Sequence, residues 1–224
     1  MNARSLLIAC LSVSLLWSFG VMAQNYPSRM AVIGDSISRA ALADDTIDPD
    51  QPEHNWSTGN SSSDAVNSHF ERIRTANPSV IAFNNAENGA DSGDLLAQAN
   101  ATVSQGVQYV TIQMGGNDVC SDDAATITPV ATWNARWNEA IDVLQAGLPG
   151  SDILVTGVVN VRRVYDVGRT NLGCLLKWNT LTFCKSMLTN GSSQRTISPN
   201  ANINFNNSLA SITAAQGVWY DPDT

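Results

Sequence analysis

The stretch "MAVIGDSIS", Met30 to Ser38, carries the first decision about this chain. Four largely apolar residues run into Gly34-Asp35-Ser36, after which the pattern turns polar and helix-like. A short apolar run bounded by turn residues reads as a buried strand. The same unit recurs in "VIAFNNA" (80–86), "VQYVTIQMG" (107–115), "DILVTGVV" (152–159) and, more weakly, "GVWYD" (217–221). Helical patterns lie between them. One spans Asp64 to Ala76, with an N-cap at Ser63 or Asp64 and a stop before Pro78. A second spans Ser92 to Gln105, with Asp94 in its first turn and Gly106 at its end. A third spans Thr132 to Ala146, with Trp133, Trp137, Ile141, Leu144 and Leu148 at helical spacing. Strands alternating with helices predict an α/β fold: one domain, a three-layer α/β/α sandwich around a parallel, flavodoxin-like sheet. In such sheets ligands bind outside the carboxyl ends of the strands.

At 224 residues and 43% hydrophobic content the chain is long enough for one domain with a sizeable core. The first residues are read apart from it. Residues 1–23 open with Arg4, continue as an apolar run from Leu6 to Val21 and close on Val21-Met22-Ala23. This is the pattern of a secretory signal peptide cleaved after Ala23, leaving 24–224 as the domain and placing the product outside the cell or in the periplasm. The run is short for a membrane span of about 20 residues, so stable membrane insertion is not expected. Cys10 sits inside the run rather than at its end, which disfavours a lipoprotein reading. Without the leader, 11 basic residues stand against 20 acidic ones, with no run of five or more Lys or Arg. An acidic chain without a basic stripe is a poor partner for nucleic acid or an anionic surface.

Two segments exceed simple connections: 44–62, "DDTIDPDQPEHNWSTGNSS", and 160–199. Both leave strand ends on the crevice side, so they are either walls of a substrate site or surface excursions. Trp56, Tyr165 and Trp178 within them are either pocket aromatics or loop anchors. Three cysteines follow the leader: Cys120, Cys174 and Cys184. Export permits disulfides, and the odd number leaves one thiol over. Cys174 and Cys184 would be about 15 Å apart in a straight helix, so they pair only if "CLLKWNTLTFC" bends back. The pairing stays open.

Chemistry-bearing residues gather at the strand ends. Ser36 follows the first strand and opens a helical pattern, where free N–H groups favour a developing alkoxide. Asp35 can accept backbone N–H bonds and hold the turn. Gly89, in "NNAENGADSG" after the second strand, can offer its backbone N–H at close range. "GGND", Gly115 to Asp118, follows the third strand, and Asn117 there is a neutral amide donor of the kind an oxyanion hole uses. Each motif alone is also compatible with a plain strand-to-helix turn.

Together the three motifs, in this order and at these strand ends, resemble blocks I to III of the SGNH (GDSL-type) hydrolases, from about Met30 to Tyr220. The resemblance implies a three-layer α/β/α fold and an esterase, lipase or acylhydrolase without a cofactor or metal. Its substrate would be a small-molecule, lipid or acetylated-carbohydrate ester. Ser36 would be the nucleophile, and its N–H, that of Gly89 and the Asn117 side chain would form the oxyanion hole.

A fourth block, Asp-x-x-His after the last strand, would supply acid and base. The chain instead reads "GVWYDPDT", with no histidine after His69. His69 reads as a half-exposed helix residue. His54, in the long loop, has no carboxylate at a defined spacing except adjacent Glu53. The expectation is that the block lies beyond Thr224 and that this chain is a fragment. The rival reading is a non-catalytic binding module that keeps the crevice without the histidine. A third reading, a Rossmann-type nucleotide binder, lacks support, because neither G-x-G-x-x-G nor G-x-x-x-x-G-K-[ST] follows the first strand.

Overall fold

The structure is a computed structural model that describes residues 26–43, 50–181, 184–189, 191 and 195–223. The proposed leader and residues 44–49 of the first long segment lie outside the described residues. All five apolar runs form strands: β1 (Arg29–Gly34), β2 (Ile81–Asn84), β3 (Tyr109–Gln113), β4 (Asp152–Thr156) and β5 (Trp219–Asp221). They pair in parallel in the order β2-β1-β3-β4-β5. The described helices are α1 (His69–Ala76), α2 (Leu95–Gln105), α3 (Gly116–Val119), α4 (Val130–Gly147), α5 (Val161–Gly168), α6 (Leu172–Leu181), α7 (Lys185–Leu188) and α8 (Ser198–Gln216).

The two faces of the sheet are covered unequally. Ala31, Ile33, Val110, Ile112, Ile153 and Val155 point to one face, where α2, α4 and α8 bury them. Trp133 lies between Trp137 and Phe205 there, with ring centroids 5.4 and 4.2 Å away. Because side chains alternate along a strand, Met30, Tyr109 and Thr111 point the other way. That face is covered by α1, through Phe70 and Ile73, and by the 50–68 segment, whose Ser57 hydroxyl bonds that of Thr111 at 2.6 Å. Over β4 and β5 this second layer is thin, and Trp219 is 70% exposed.

Two local readings are corrected, and the disulfide pairing that the sequence left open is resolved. The first helix starts at His69, not Asp64. Ser68 and Glu71 form a reciprocal capping box that satisfies the first free N–H groups, and upstream the Asp64 side chain is bonded elsewhere. Ser36 opens a run of turns rather than a regular helix, since Ala40 and Leu42 take left-handed conformations with φ of 50° and 60°. The disulfide joins Cys120 to Cys184 across 64 residues, and Cys174 is the free thiol. Cys174 and Cys184 therefore do not pair, and Cys184 is joined instead to the end of the turn after β3.

Helix α8 was not evident from the sequence. Asparagine is a weak helix former, and "SPNANINFNNSLASITAAQ" carries five of them in its first ten residues. Phe205, Leu209 and Ile212 nevertheless form a buried stripe, and Gly217, with φ of 67°, closes the helix. Two of the asparagines act as clamps on the turn after β4. Asn206 accepts the Val158 N–H at 2.7 Å, and the Asn202 amide donates to the Val159 carbonyl at 2.9 Å.

Candidate active site

Three turns at the carboxyl ends of β1, β2 and β3 are fastened to each other by side chains that the turns themselves supply. Asp35, 1% exposed, accepts the Ile37 N–H at 2.9 Å and also the backbone N–H of Gly116. It thereby ties the Ser36 turn to the turn of Asn117. Asn117 donates one amide N–H to the Ala90 carbonyl at 2.7 Å, tying its turn to the one after β2. Asp118 accepts the Ser92 N–H at 2.8 Å and the Ser92 hydroxyl at 2.6 Å, and Arg136 donates to that hydroxyl at 2.9 Å. Gly115 makes the tight exit from β3 possible. Its φ is 127°, and a Cβ there would sit 2.5 Å from the Trp133 ring.

Burial dominates the electrostatics. It pushes the Asp35 carboxyl up to about 6, helped by the nearby charge of Asp118 and opposed by the Ile37 and Gly116 N–H bonds. It also raises Asp118, against the hydrogen bonds from Ser92 and Thr128. Two buried carboxylates thus hold the backbone of the turns, and Ser36 is half-buried between them and solvent.

Ser36 and Asn117 open into one cleft of about 170 Å³. Asp35 and Gly116 form its polar end, and Ile37, Val159, Val161, Val164, Leu188 and the Cys120–Cys184 disulfide form its apolar wall. That wall is held in place at several points. Besides the disulfide, the Ser186 N–H bonds the Ser121 carbonyl at 3.2 Å and Lys185 pairs with Asp122 at 2.9 Å. A larger, shallower hollow of about 530 Å³ lies beside Arg39, Asp50 and Asn84 to Asn88. It contains no candidate nucleophile.

The third expected donor is placed differently. Gly89 is exposed and does not line the cleft. A Cβ on it would meet nothing within 4 Å, so its glycine identity answers to a φ of 85° rather than to close approach. It sits one residue before the Ala90 carbonyl that holds Asn117.

Neither histidine lines the cleft. His69 bonds the Tyr109 hydroxyl at 2.7 Å, stacks on that ring and meets the edge of Trp56. Tyr109 pairs with Met30, four residues before Gly34, so this cluster lies about 13 Å down the strands from the crevice. His54 is oriented after all: its Nδ1 lies 2.5 Å from Asp64 Oδ2, a partner ten residues away that no local spacing announces. The aromatic candidates are anchors. Tyr165 and Trp178 stack with centroids 6.2 Å apart, and Trp56 belongs to the His69 cluster. Among the described residues, no three His, Cys, Asp or Glu side chains converge as a metal site. No described helix is long and apolar enough to cross a membrane.

No curated protein matches the sequence. Several solved structures share the fold at low identity. An esterase from Pseudoalteromonas sp., EstA, has a TM-score of 0.50 at 15% identity, covering 87% of this chain and 76% of its own. An extracellular lipase from Streptomyces rimosus has 0.50 at 17%, covering 86% and 79%. An acetylxylan esterase from Geobacillus stearothermophilus has 0.53 at 13%, covering 86% and 74%. The family model for GDSL-like lipase/acylhydrolase matches residues 30–217, most of the sequence and all three cross-linked turns, and the chain belongs to that family.

Proposed function

We propose that this protein is a serine ester hydrolase working through an acyl-enzyme on Ser36. The observation that carries the reading is the mutual fastening of the three strand-end turns, which presents a hydroxyl and an amide donor to one cleft. Ser36 Oγ attacks the ester carbonyl carbon and gives its proton to a base. The carbonyl oxygen becomes an oxyanion that accepts from the Ser36 N–H and from Asn117, whose amide has a second N–H besides the one bound to Ala90. The C–O bond to the alcohol then breaks, the alcohol leaves with the proton, and water hydrolyses the acyl-enzyme.

Neither His54 nor His69 lines the cleft, so the base is proposed to come from an Asp-x-x-His block in sequence following Thr224. Two features support a further segment on the thin layer of the sheet. Trp219 is exposed there, and the β4 residue beside it, Leu154, is only partly buried. Export through the 1–23 leader is part of the same proposal, and the Cys120–Cys184 disulfide agrees with an oxidising compartment.

The cleft also bears on the ester. A dry cavity of about 150 Å³ is large enough for benzene, so the 170 Å³ cleft suits acyl groups up to about six carbons. The test is direct. The gene product, extended past Thr224 where the reading frame continues, should hydrolyse p-nitrophenyl butyrate well and the palmitate poorly. A phosphonate ester should label Ser36 as read by mass spectrometry, and Ser36→Ala should lower kcat by at least about 10³-fold. Unchanged hydrolysis in Ser36→Ala would refute the mechanism. An absence of labelling and turnover would favour the binding-module reading.

A further inference from the structure

The average charge of the chain hides a local reversal. Residues 160–199 contain Arg162, Arg163, Arg169, Lys177, Lys185 and Arg195 against a single acid, Asp166, so they carry a net charge of +5 in a chain whose total is −8. Some of this charge is internally matched: Arg162 pairs with Asp166 at 2.9 Å, Lys185 with Asp122, and Arg195 lies 4.6 Å over the Tyr165 ring. Arg163, Arg169 and Lys177 are exposed.

The same segment exposes apolar side chains in an ordered way. In α5 and α6 the inward residues are Val161, Gly168, Cys174 and Trp178, with the Trp178 ring lying where a Gly168 Cβ would be. The outward positions hold Val164 and Val167, three apart, and Leu172 and Leu176, four apart. Such spacings place each pair on one side of its helix. Val167 is 60% exposed, Leu172 71% and Leu176 59%. Val164 is exposed as well and also lines the cleft, so the apolar surface runs from the rim of the Ser36 cleft onto the outside of the hairpin.

We infer that the α5–α6 hairpin is a docking surface for an anionic lipid–water interface, which it meets with the mouth of the cleft at its edge. Outward leucines and valines interleaved with arginine and lysine are the composition of helices that lie in a headgroup region. The charge selects the occupant. Within the hairpin itself Arg162, Arg163, Arg169 and Lys177 stand against Asp166, so a second copy docking through the same patch would set +3 against +3, whereas anionic headgroups neutralise it. The inference does not depend on Ser36 chemistry, because adsorption is read without turnover.

The experiment is co-sedimentation of the protein with vesicles of phosphatidylcholine alone or mixed with phosphatidylglycerol, at low and high salt. The expected result is binding to the anionic vesicles at low salt that high salt reverses. Neutralising one basic residue should weaken it about fivefold, and Arg163→Gln, Arg169→Gln and Lys177→Gln together about a hundredfold. Leu172→Ser with Leu176→Ser should also weaken binding while leaving the melting temperature unchanged, since both side chains are exposed. No adsorption to anionic vesicles, or adsorption indifferent to the triple variant, overturns the inference. So does a dimer in gel filtration that Leu172→Ser and Leu176→Ser dissociate in a protein that ignores vesicles.

Discussion

The two ends of the sheet each bury a titratable side chain, and they treat it in opposite ways. At the carboxyl end Asp35 is held by backbone N–H groups that stabilise its charge while burial opposes it, and the result is a carboxyl poised near 6. At the amino end half-buried His69 packs against Tyr109 and Trp56, and burial lowers its pKa, helped by the charge of Arg72. Tyr109 is pushed up to about 12 by the same burial and by Asp152. One end is built to organise charge at backbone turns. The other is a half-buried aromatic cluster packed against the sheet's second face. Ser36, the proposed nucleophile, Asn117 and the disulfide all stand at the first end, which is also the end the fold assigns to ligands.

The largest effect that would break this contrast is on the covalent tie. Closing 64 residues by a disulfide is worth about 4 kcal/mol of unfolding free energy on the chain-entropy account. Replacing Cys120 and Cys184 together by serine should lose about that much in urea unfolding. A loss near zero would mean that the Lys185–Asp122 pair and the Ser186–Ser121 bond hold the cleft wall unaided. Next comes the amide. Asn117→Ala should reduce kcat by about 10²–10³-fold, or about 3–4 kcal/mol of barrier, whereas His69→Gln should leave kcat unchanged. Ester kinetics on the extended protein decide it, and the reverse pattern would move the chemistry to the other end of the sheet.

What the sequence disclosed follows the range of the interactions concerned. Four of the five strands were legible because each is a short run rich in Val and Ile whose apolar character needs no partner to be read, whereas β5, in "GVWYD", was legible only weakly. Ser36 and Asn117 were legible because a glycine-bearing turn after a strand is a local signature. The fastening between turns was not: Asp35 reaches Gly116, Asn117 reaches Ala90 and Asp118 reaches Ser92 over 26 residues or more. Helix α8 failed for a related reason, since its asparagines lower local propensity in return for tertiary bonds to Val158 and Val159. The His54–Asp64 pair and the Cys120–Cys184 bond likewise join positions whose spacing carries no message.

The two buried groups also predict opposite pH dependences, the sharpest way to tell the ends apart. Asp35 has a raised pKa in the folded state, from 3.8 to about 6, so the native protein holds more protons than the unfolded chain across that window. Stability attributable to Asp35 therefore falls as pH rises from about 4 to 6, by about 3 kcal/mol in all. In Asp35→Asn that fall should vanish, and the difference in melting temperature, variant minus wild type, should increase with pH over this range. His69 has a lowered folded pKa, so between that value and 6.5 the unfolded chain holds more protons. Its contribution is complete above pH 6.5 and erodes as pH falls below it. His69→Gln, which cannot charge, should show a melting-temperature difference that rises as the pH is lowered from 7 to 5, with a smaller span than that of Asp35→Asn. Should both variants drift in the same direction, one of the two ends has been read with the wrong sign. The His69 curve is then the one to repeat with Tyr109→Phe, which removes the hydroxyl that meets Nδ1 at 2.7 Å.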